Sequence, residues 1–320
     1  MKCFYHRDAD GRCAGHLVNL WDCSPDKMFI GINYEDIFPL HEIKKGERVY
    51  IVDFSISPDC MRQLLEITTD IIWIDHHKTA IDKYKDFEWD IPGIRINGVA
   101  GCMLTYIYLY HMLNKDGVKN NFSYFYSDYA PLYVKLIADY DVWNFEYGDD
   151  TRHFQMAFSA YDFNPESPQW NDFNSPYKSN MEYFYINQGE IMMLWRDNWA
   201  KSFMKYGFHV DLGGLKCFAA NLGHCNSDYF KSVEGDYDAF IAFLYTGKSW
   251  RISMYANKPD VDVSKVCAKY GGGGHKGAAG FHCEELPFRI EKDELETLFE
   301  ESKEYVRLDP STILKKGRQY

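Results

Sequence analysis

Continuous apolar runs, rather than alternating ones, mark the first part of the chain: residues 2–6, Lys27 to Ile32, Arg48 to Val52 and Ile71 to Ile74. Runs of this length, rich in β-branched residues, predict strands buried on both faces, as in a parallel sheet. Between and after them the apolar spacing turns helical. Gly11 to Trp21 reads as a helix start with apolar positions at Cys13, Leu17 and Leu20, and Val99 to Leu113 and Tyr129 to Ala138 are further helical stretches. Strand and helix alternate over residues 1–150, which predicts a doubly wound α/β domain built on a mainly parallel sheet.

Prolines at 165, 168 and 176 interrupt a polar stretch, and a long helical pattern runs from about Ser179 to Tyr206. It carries Tyr183, Ile186, Ile191, Leu194, Trp199 and Phe203, and predicts a connecting helix within a linker spanning 151–206. A smaller α/β domain is expected over 207–320, with strands at Leu215–Ala220, Ala239–Tyr245 and Trp250–Tyr255 and helices at Asp228–Val233 and Val263–Tyr270. A glycine-rich run, 271–280, comes next. A charged, helical tail after Leu286 ends in Lys315-Lys316-Gly317-Arg318.

Composition narrows the functional classes. With 46% hydrophobic and 26% charged residues the chain reads as soluble and globular. No apolar leader follows Met1, and no run approaches the ~18 residues of a membrane span. Nine cysteines without a CxxC pair argue against a disulfide framework or structural zinc, so a reducing cytoplasm is expected. Lys plus Arg number 35 against 47 Asp plus Glu, a net charge of −12, which excludes a scaffold for long duplex nucleic acid. Bound metal ions would still reverse the sign locally in a cleft, so a short phosphorylated substrate remains compatible. The 17% aromatic content reads mainly as packing, with base stacking the alternative.

Candidate chemistry sits where the predicted strands end: Tyr5-His6-Arg7-Asp8-Ala9-Asp10-Gly11, then Ile51-Val52-Asp53-Phe54, then Ile74-Asp75-His76-His77-Lys78. Parallel sheets gather the carboxyl ends of their strands at one edge, where ligands bind. Carboxylates and imidazoles converging there suit paired divalent metals. Asp8 and Asp10 are spaced to hold different ions from an extended turn. Asp53 stands alone, as a bridging carboxylate would. Asp75 is placed to orient an imidazole through its second nitrogen, and His77 supplies a proton donor. Asp139 closes the set. Two ions about 3.5–4 Å apart would share a hydroxide in line with a phosphorus atom and offset charge on the phosphoryl oxygens.

The order of these patches resembles the DHH phosphoesterases, named for a triplet like Asp75-His76-His77, and residues 271–280 resemble the C-terminal domain found with them. The resemblance spans nearly the whole chain, least so at 151–178 and in the tail. It implies Asp8, Asp10, Asp53, His76 and Asp139 as ligands of two ions, manganese with magnesium as the alternative. It also implies that His77, with Asp75, contacts the scissile phosphate or assists the leaving group. Oligonucleotide-cleaving members often carry a histidine four residues before the first aspartate. Phe4 stands there in this chain and His6 lies two before, nearer the style of RecJ-type exonucleases. Asp139 and Asp141 compete for the last position. Asp139 is preferred because it follows Leu136-Ile137-Ala138.

In the glycine run, Gly272, Gly273 and Gly274 let backbone approach a ligand and could form an anion-binding nest at a helix start, with His275 donating to a phosphate. Relatives often have an arginine in a Ser-Leu-Arg-Ser strand. The matching stretch is Ser253-Met254-Tyr255-Ala256, so Tyr255 would offer a stacking ring instead, and Arg251 is a candidate substitute. The other histidines, 16, 41, 111, 153, 209, 224 and 282, read as packing or surface residues.

The expectation is a manganese-dependent hydrolase cleaving phosphodiester bonds of short oligonucleotides or related nucleotides by two-metal hydroxide attack, its C-terminal domain gripping the distal end. Alternatives are a phosphomonoesterase or exopolyphosphatase of the same superfamily, or a nucleotide- or RNA-binding protein without turnover. Pyrophosphatases of the superfamily rank lower because their second lobe lacks the glycine-histidine run. No membrane partner is expected, and a homodimer is left open.

Overall fold

Strands β1 (Lys2–His6), β2 (Met28–Ile32), β3 (Val49–Val52) and β4 (Ile71–Ile74) pair in the order β2-β1-β3-β4, and every pairing is parallel. The continuous apolar runs have the predicted cause. Cys3, Tyr5, Tyr50, Val52 and Ile74 enter one core, while Phe4, Val49, Ile51, Ile71 and Trp73 enter another on the opposite face. The first core is completed by α1 (Ala9–Trp21), α4 (Gly101–Asn114), α5 (Leu132–Asp141) and α6 (Asp149–Phe158). The second takes Met61 and Leu64 of α2 (Pro58–Ile67), which starts on a Ser57 cap, and a short α3 (Lys78–Lys83) follows β4. Because β1 lies between β2 and β3, chain direction diverges there, and the crevice beyond the ends of β1 and β3 is the topological switch point.

The computed structural model describes residues 1–114, 124–174, 180–223 and 225–288. It divides into two units, Met1–Met193 and Leu194–Tyr320, with the division inside α8 (Met181–Met204). The stretch expected as a linker belongs in large part to the first core. Phe154, Phe158, Phe163, Trp170 and Tyr185 are buried in it, the last two flanking α7 (Asn171–Asn174). Trp170 stacks flat on His16 at 4.2 Å, and His16 is tied to the Pro165 carbonyl at 3.1 Å and to Asn174 at 2.9 Å. Pro165 and Pro168 therefore belong to a packed turn, while Pro176 lies outside the described residues. The buried side of α8 also differs from the expected stripe. Ile186 is buried, but Tyr183 and Ile191 are exposed, and Gly189 lets the helix press on α6. A Cβ there would lie 1.7 Å from the His153 carbonyl oxygen.

The second unit is a six-stranded mixed sheet ordered β5-β6-β7-β8-β10-β9: β5 (Phe208–Leu212), β6 (Leu215–Asn221), β7 (Ala239–Tyr245), β8 (Trp250–Ala256), β9 (Gly273–Gly274) and β10 (Ala278–Cys283). Only β6 and β7 pair in parallel. One face packs on α9 (Val263–Lys269) and the other on a cluster around Phe230 and Phe240. The helix expected at Asp228–Val233 is a single 3-10 turn, Ser227–Phe230. The charged tail and His224 lie outside the described residues.

Candidate metal centre

The ends of β1, β3 and β4 each deliver one part of the centre. After β1, Asp8 caps α1, accepting from the Gly11 N–H at 2.9 Å and holding His6 Nδ1 at 2.6 Å. Asp10 is a residue of the first helical turn, not of an extended turn as expected, and is 2% exposed. Its two oxygens accept the N–H groups of Gly101 (2.6 Å) and Cys102 (2.8 Å), which begin α4. Unpaired N–H groups and the positive end of the helix dipole favour a carboxylate at this place.

Asp53 leaves β3 with its N–H still paired to the Ile74 carbonyl, at 2.9 Å, and with φ of +51°. A left-handed conformation in a non-glycine residue costs energy and persists only when its surroundings enforce it. Here it aims the carboxylate into the crevice. Oδ1 lies 3.2 Å from His76 Nε2 and Oδ2 lies 3.8 Å from His6 Nδ1. Neither oxygen accepts a hydrogen bond among the described residues, although both are buried.

After β4, Asp75 is fully buried and anchored. Its N–H pairs with the Ile94 carbonyl, its Oδ2 accepts from the Ser55 hydroxyl, and its Oδ1 holds His77 Nδ1 at 2.7 Å. That bond leaves His77 Nε2 as the nitrogen available to a ligand. His76 Nε2 faces Asp10 Oδ2 at 3.9 Å and Asp141 Oδ2 at 3.5 Å as well as Asp53.

The fifth ligand is where geometry reverses the sequence preference. Asp139 turns away from the crevice. Its carboxylate accepts from the N–H groups of Glu146 (2.8 Å) and Tyr147 (3.3 Å) and from the Thr151 hydroxyl, so it fastens the loop after α5. Asp141 closes the cluster, and its Oδ2 is buried without a hydrogen-bond partner among the described residues. Three overlapping donor groups result: His6, Asp8 and Asp53; Asp53, His76 and His77; and Asp10, His76 and Asp141. Asp53 and His76 each belong to two of them.

Electrostatics accord with a cation-binding role for this cluster. Burial first, and then the charges of Asp10 and Asp8, push the Asp53 carboxyl well above the usual carboxylate range. Burial and the same two neighbours raise Asp141 to about 8. Burial lowers His76, whereas the hydrogen bond to Asp75 raises His77. Carboxylates this close cannot all remain charged in a dry crevice unless a cation joins them. Orphaned oxygens of Asp53 and Asp141 among oxygen and imidazole donors fit divalent manganese or magnesium.

Sequence reading brought four of its five ligand candidates together here: Asp8, Asp10, Asp53 and His76. It passed over Ser55 and Gly101, for which a lone serine and a lone glycine give no signal. For His6 the signal was its place two residues before Asp8. Phe4, at the position where relatives often have histidine, is core.

In the second unit the glycine run is a hairpin and not a helix start. Gly273 and Gly274 pair with Gly280 and Ala279, and His275 and Ala278 exchange backbone hydrogen bonds of 2.8 and 3.2 Å. Gly274 has φ of +142°, and a Cβ on Gly272 would lie 2.1 Å from the Gly280 carbonyl oxygen. Close strand approach therefore accounts for Gly272 and Gly274, while the His275 side chain is exposed. Tyr255 packs in the Phe230 cluster and donates its hydroxyl to the Cys225 carbonyl. Its ring is thus partly committed to packing. Arg251 shares the sheet face of Tyr255, four residues away along β8, and is exposed.

No family model matches the chain. It is 22% identical over 249 residues to an uncharacterized protein of Acanthamoeba polyphaga mimivirus, covering 74% of this chain and 53% of that one, so it spans about half the length of this relative. Similar solved structures include a pGpG-specific phosphodiesterase from Vibrio cholerae (10% identity, 95% and 99% of the chains covered, TM-score 0.43). RecJ from Thermus thermophilus in complex with Mn2+ matches at 14% identity, over 95% and 51% of the chains, with TM-score 0.41. An uncharacterized protein from Helicobacter pylori matches at 14% identity, over 94% and 98%, with TM-score 0.41. Overlays this loose carry no argument, and the functional reading rests on this chain's own residues. No described helix is long and apolar enough to cross a membrane.

Proposed function

We propose that the protein is a metal-dependent phosphoesterase of the DHH type that hydrolyses phosphodiester bonds in short oligonucleotides or related nucleotides. The observation that carries this reading is the Asp53 carboxylate. It is 1% exposed, held in a left-handed backbone conformation, shared between two donor groups, and without a hydrogen bond on either oxygen among the described residues. A buried charge in that state is costly unless a cation completes it.

Asp8, Asp10, Asp53, His76 and Asp141 would hold two divalent ions, with His6 beside them and manganese the preferred metal. Such ions supply a nucleophile from water at neutral pH and offset charge on the phosphoryl oxygens. The remaining residues set up the reaction. Asp75, locked by Ser55 and the backbone, fixes the tautomer and orientation of His77. His77 then presents Nε2–H to a phosphoryl oxygen or to the departing oxygen. The N-terminus of α4 holds Asp10 rigid, so the crevice keeps its shape as charge builds.

The test is hydrolysis of pApA, cyclic di-AMP, 3′-phosphoadenosine phosphate and polyphosphate with manganese by wild type and by Asp53→Asn. Wild type is expected to cleave pApA, and a folded Asp53→Asn variant to lose at least about a hundredfold in rate. An unchanged rate in that variant, or no cleavage of any substrate by the metal-loaded wild type, overturns the reading.

A further inference from the structure

A second cavity, of about 500 Å³, opens beside the metal cluster within the first unit. Its wall includes the residues just past three strand ends: Tyr34 after β2, Phe54 after β3 and His77 after β4. Register explains the convergence. His6 at the end of β1 pairs with Ile32 at the end of β2, so the turn following β2 arrives alongside the first aspartate patch. That turn is closed by Asp36, whose carboxylate accepts from the Asn33 N–H at 2.9 Å and pairs with Arg7 at 3.0 Å.

The Tyr34 ring links cluster and cavity. Its centroid lies 4.9 Å from that of Phe54, 5.7 Å from His77 and 5.7 Å from His6, yet the residue is 52% exposed. An aromatic ring supported from three sides and open on another is a stacking surface. Facing it are hydroxyls and one long cation: Ser57, Thr79 and Lys83 also line the cavity. Ser57 Oγ accepts the Cys60 N–H at 3.2 Å, which leaves its own proton free to donate. Lys83 makes no ion pair among the described residues and is the one Lys or Arg in the lining. A single ammonium without a guanidinium fork suits a sugar hydroxyl or one phosphate, and is poor provision for a polyphosphate chain. The volume lies within the range of sites that take one small organic ligand.

Resting on the phosphoesterase reading above, we propose that this cavity is a subsite for the nucleoside on the leaving-group side of the scissile phosphate. The base stacks on Tyr34 and the sugar lies toward Ser57, Thr79 and Lys83. His77 stands between cavity and cluster, where a group that hands a proton to the departing sugar oxygen has to be.

Adenosine is the probe, because it carries no phosphate and does not depend on the metals. Its binding to the metal-free full chain is measured by titration calorimetry for wild type, Tyr34→Ala and Thr79→Trp, the last filling the cavity from an exposed helical position. Thermal melts confirm that each variant is folded. Affinity is expected to fall about fivefold or more in both variants, the loss of one stacked base contact. In parallel, KM for pApA with manganese should rise while kcat changes little. Absence of adenosine binding to wild type, or equal binding to all three proteins, overturns the subsite. Adenosine binding that depends on Tyr34 in a protein that cleaves no phosphodiester leaves the subsite standing and removes the phosphoesterase reading.

Discussion

Gly101 lies directly against Asp53: a Cβ at position 101 would come within 2.6 Å of the Asp53 Cβ and 3.0 Å of Asp10 Oδ2. Helix α4 therefore reaches the cluster through the one residue type without a side chain, and its first N–H groups grip Asp10. Gly101→Ala should push the helix off both carboxylates. Metal affinity is expected to drop about 10- to 100-fold, as when partners that orient metal ligands are lost. Titration of manganese followed by calorimetry checks this, and affinity equal to wild type would contradict it.

Asp139 and Asp141, two residues apart, should separate cleanly by readout. Asp139→Asn weakens a carboxylate that accepts two backbone N–H groups and the Thr151 hydroxyl, and should cost about 1.5–3 kcal/mol of stability. Asp141→Asn removes charge from a cluster of like charges, so stability should hold or rise without metal while manganese affinity falls. Denaturant melts of metal-free protein, paired with metal titrations, give both quantities. The opposite pattern would restore Asp139 as the ligand.

His16 sets a pH limit on stability. Its burial holds the ring well below the usual value, at about 4 against 6.5, despite the hydrogen bond to Pro165. Between those values the unfolded chain binds a proton that the folded protein refuses, so stability should fall as pH drops through that window. The contribution amounts to about 3 kcal/mol at most. Denaturant unfolding of wild type and His16→Gln at pH 7 and at pH 4.5 tests it. The variant is expected to lose less on acidification, and identical losses would assign the effect to other groups.

Metal should bind as a structural partner of the first unit as well as a reagent. At a hundredfold excess over Kd, each bound ion contributes about 2.7 kcal/mol to the folded state. Manganese is therefore expected to raise the melting temperature, and a chelator to reverse the rise. Asp53→Asn should melt at or above wild type without metal but show little increase with it. A shift of equal size in both proteins would place the ion elsewhere.

The strand ends were legible because the sequence states them twice. Apolar runs such as Val49–Val52 and Ile71–Ile74 must bury both faces, and the polar residues that follow, Asp53 and Asp75, have no place in such a strand. Apolar spacing marked α1, and long apolar stretches marked α4 and α5. Residues 151–174 misled because proline and polar residues at the surface of a turn look like a linker, while Phe163 and Trp170 inside it are core. The glycine run misled differently. Glycine permits both a phosphate nest and a tight hairpin, and only the pairing of Gly273 with Gly280 selects the second.

By itself the sequence determined the parallel sheet and the position of Asp8, Asp10, Asp53 and His76 at its carboxyl edge, since burial period and strand direction are local properties of the chain. The tertiary structure decided which of Asp139 and Asp141 faces His76, that Gly101 touches Asp53, and that Tyr34 joins His77 in walling a cavity. Those facts depend on where segments tens of residues apart come to rest, and no local pattern encodes a distance across the fold.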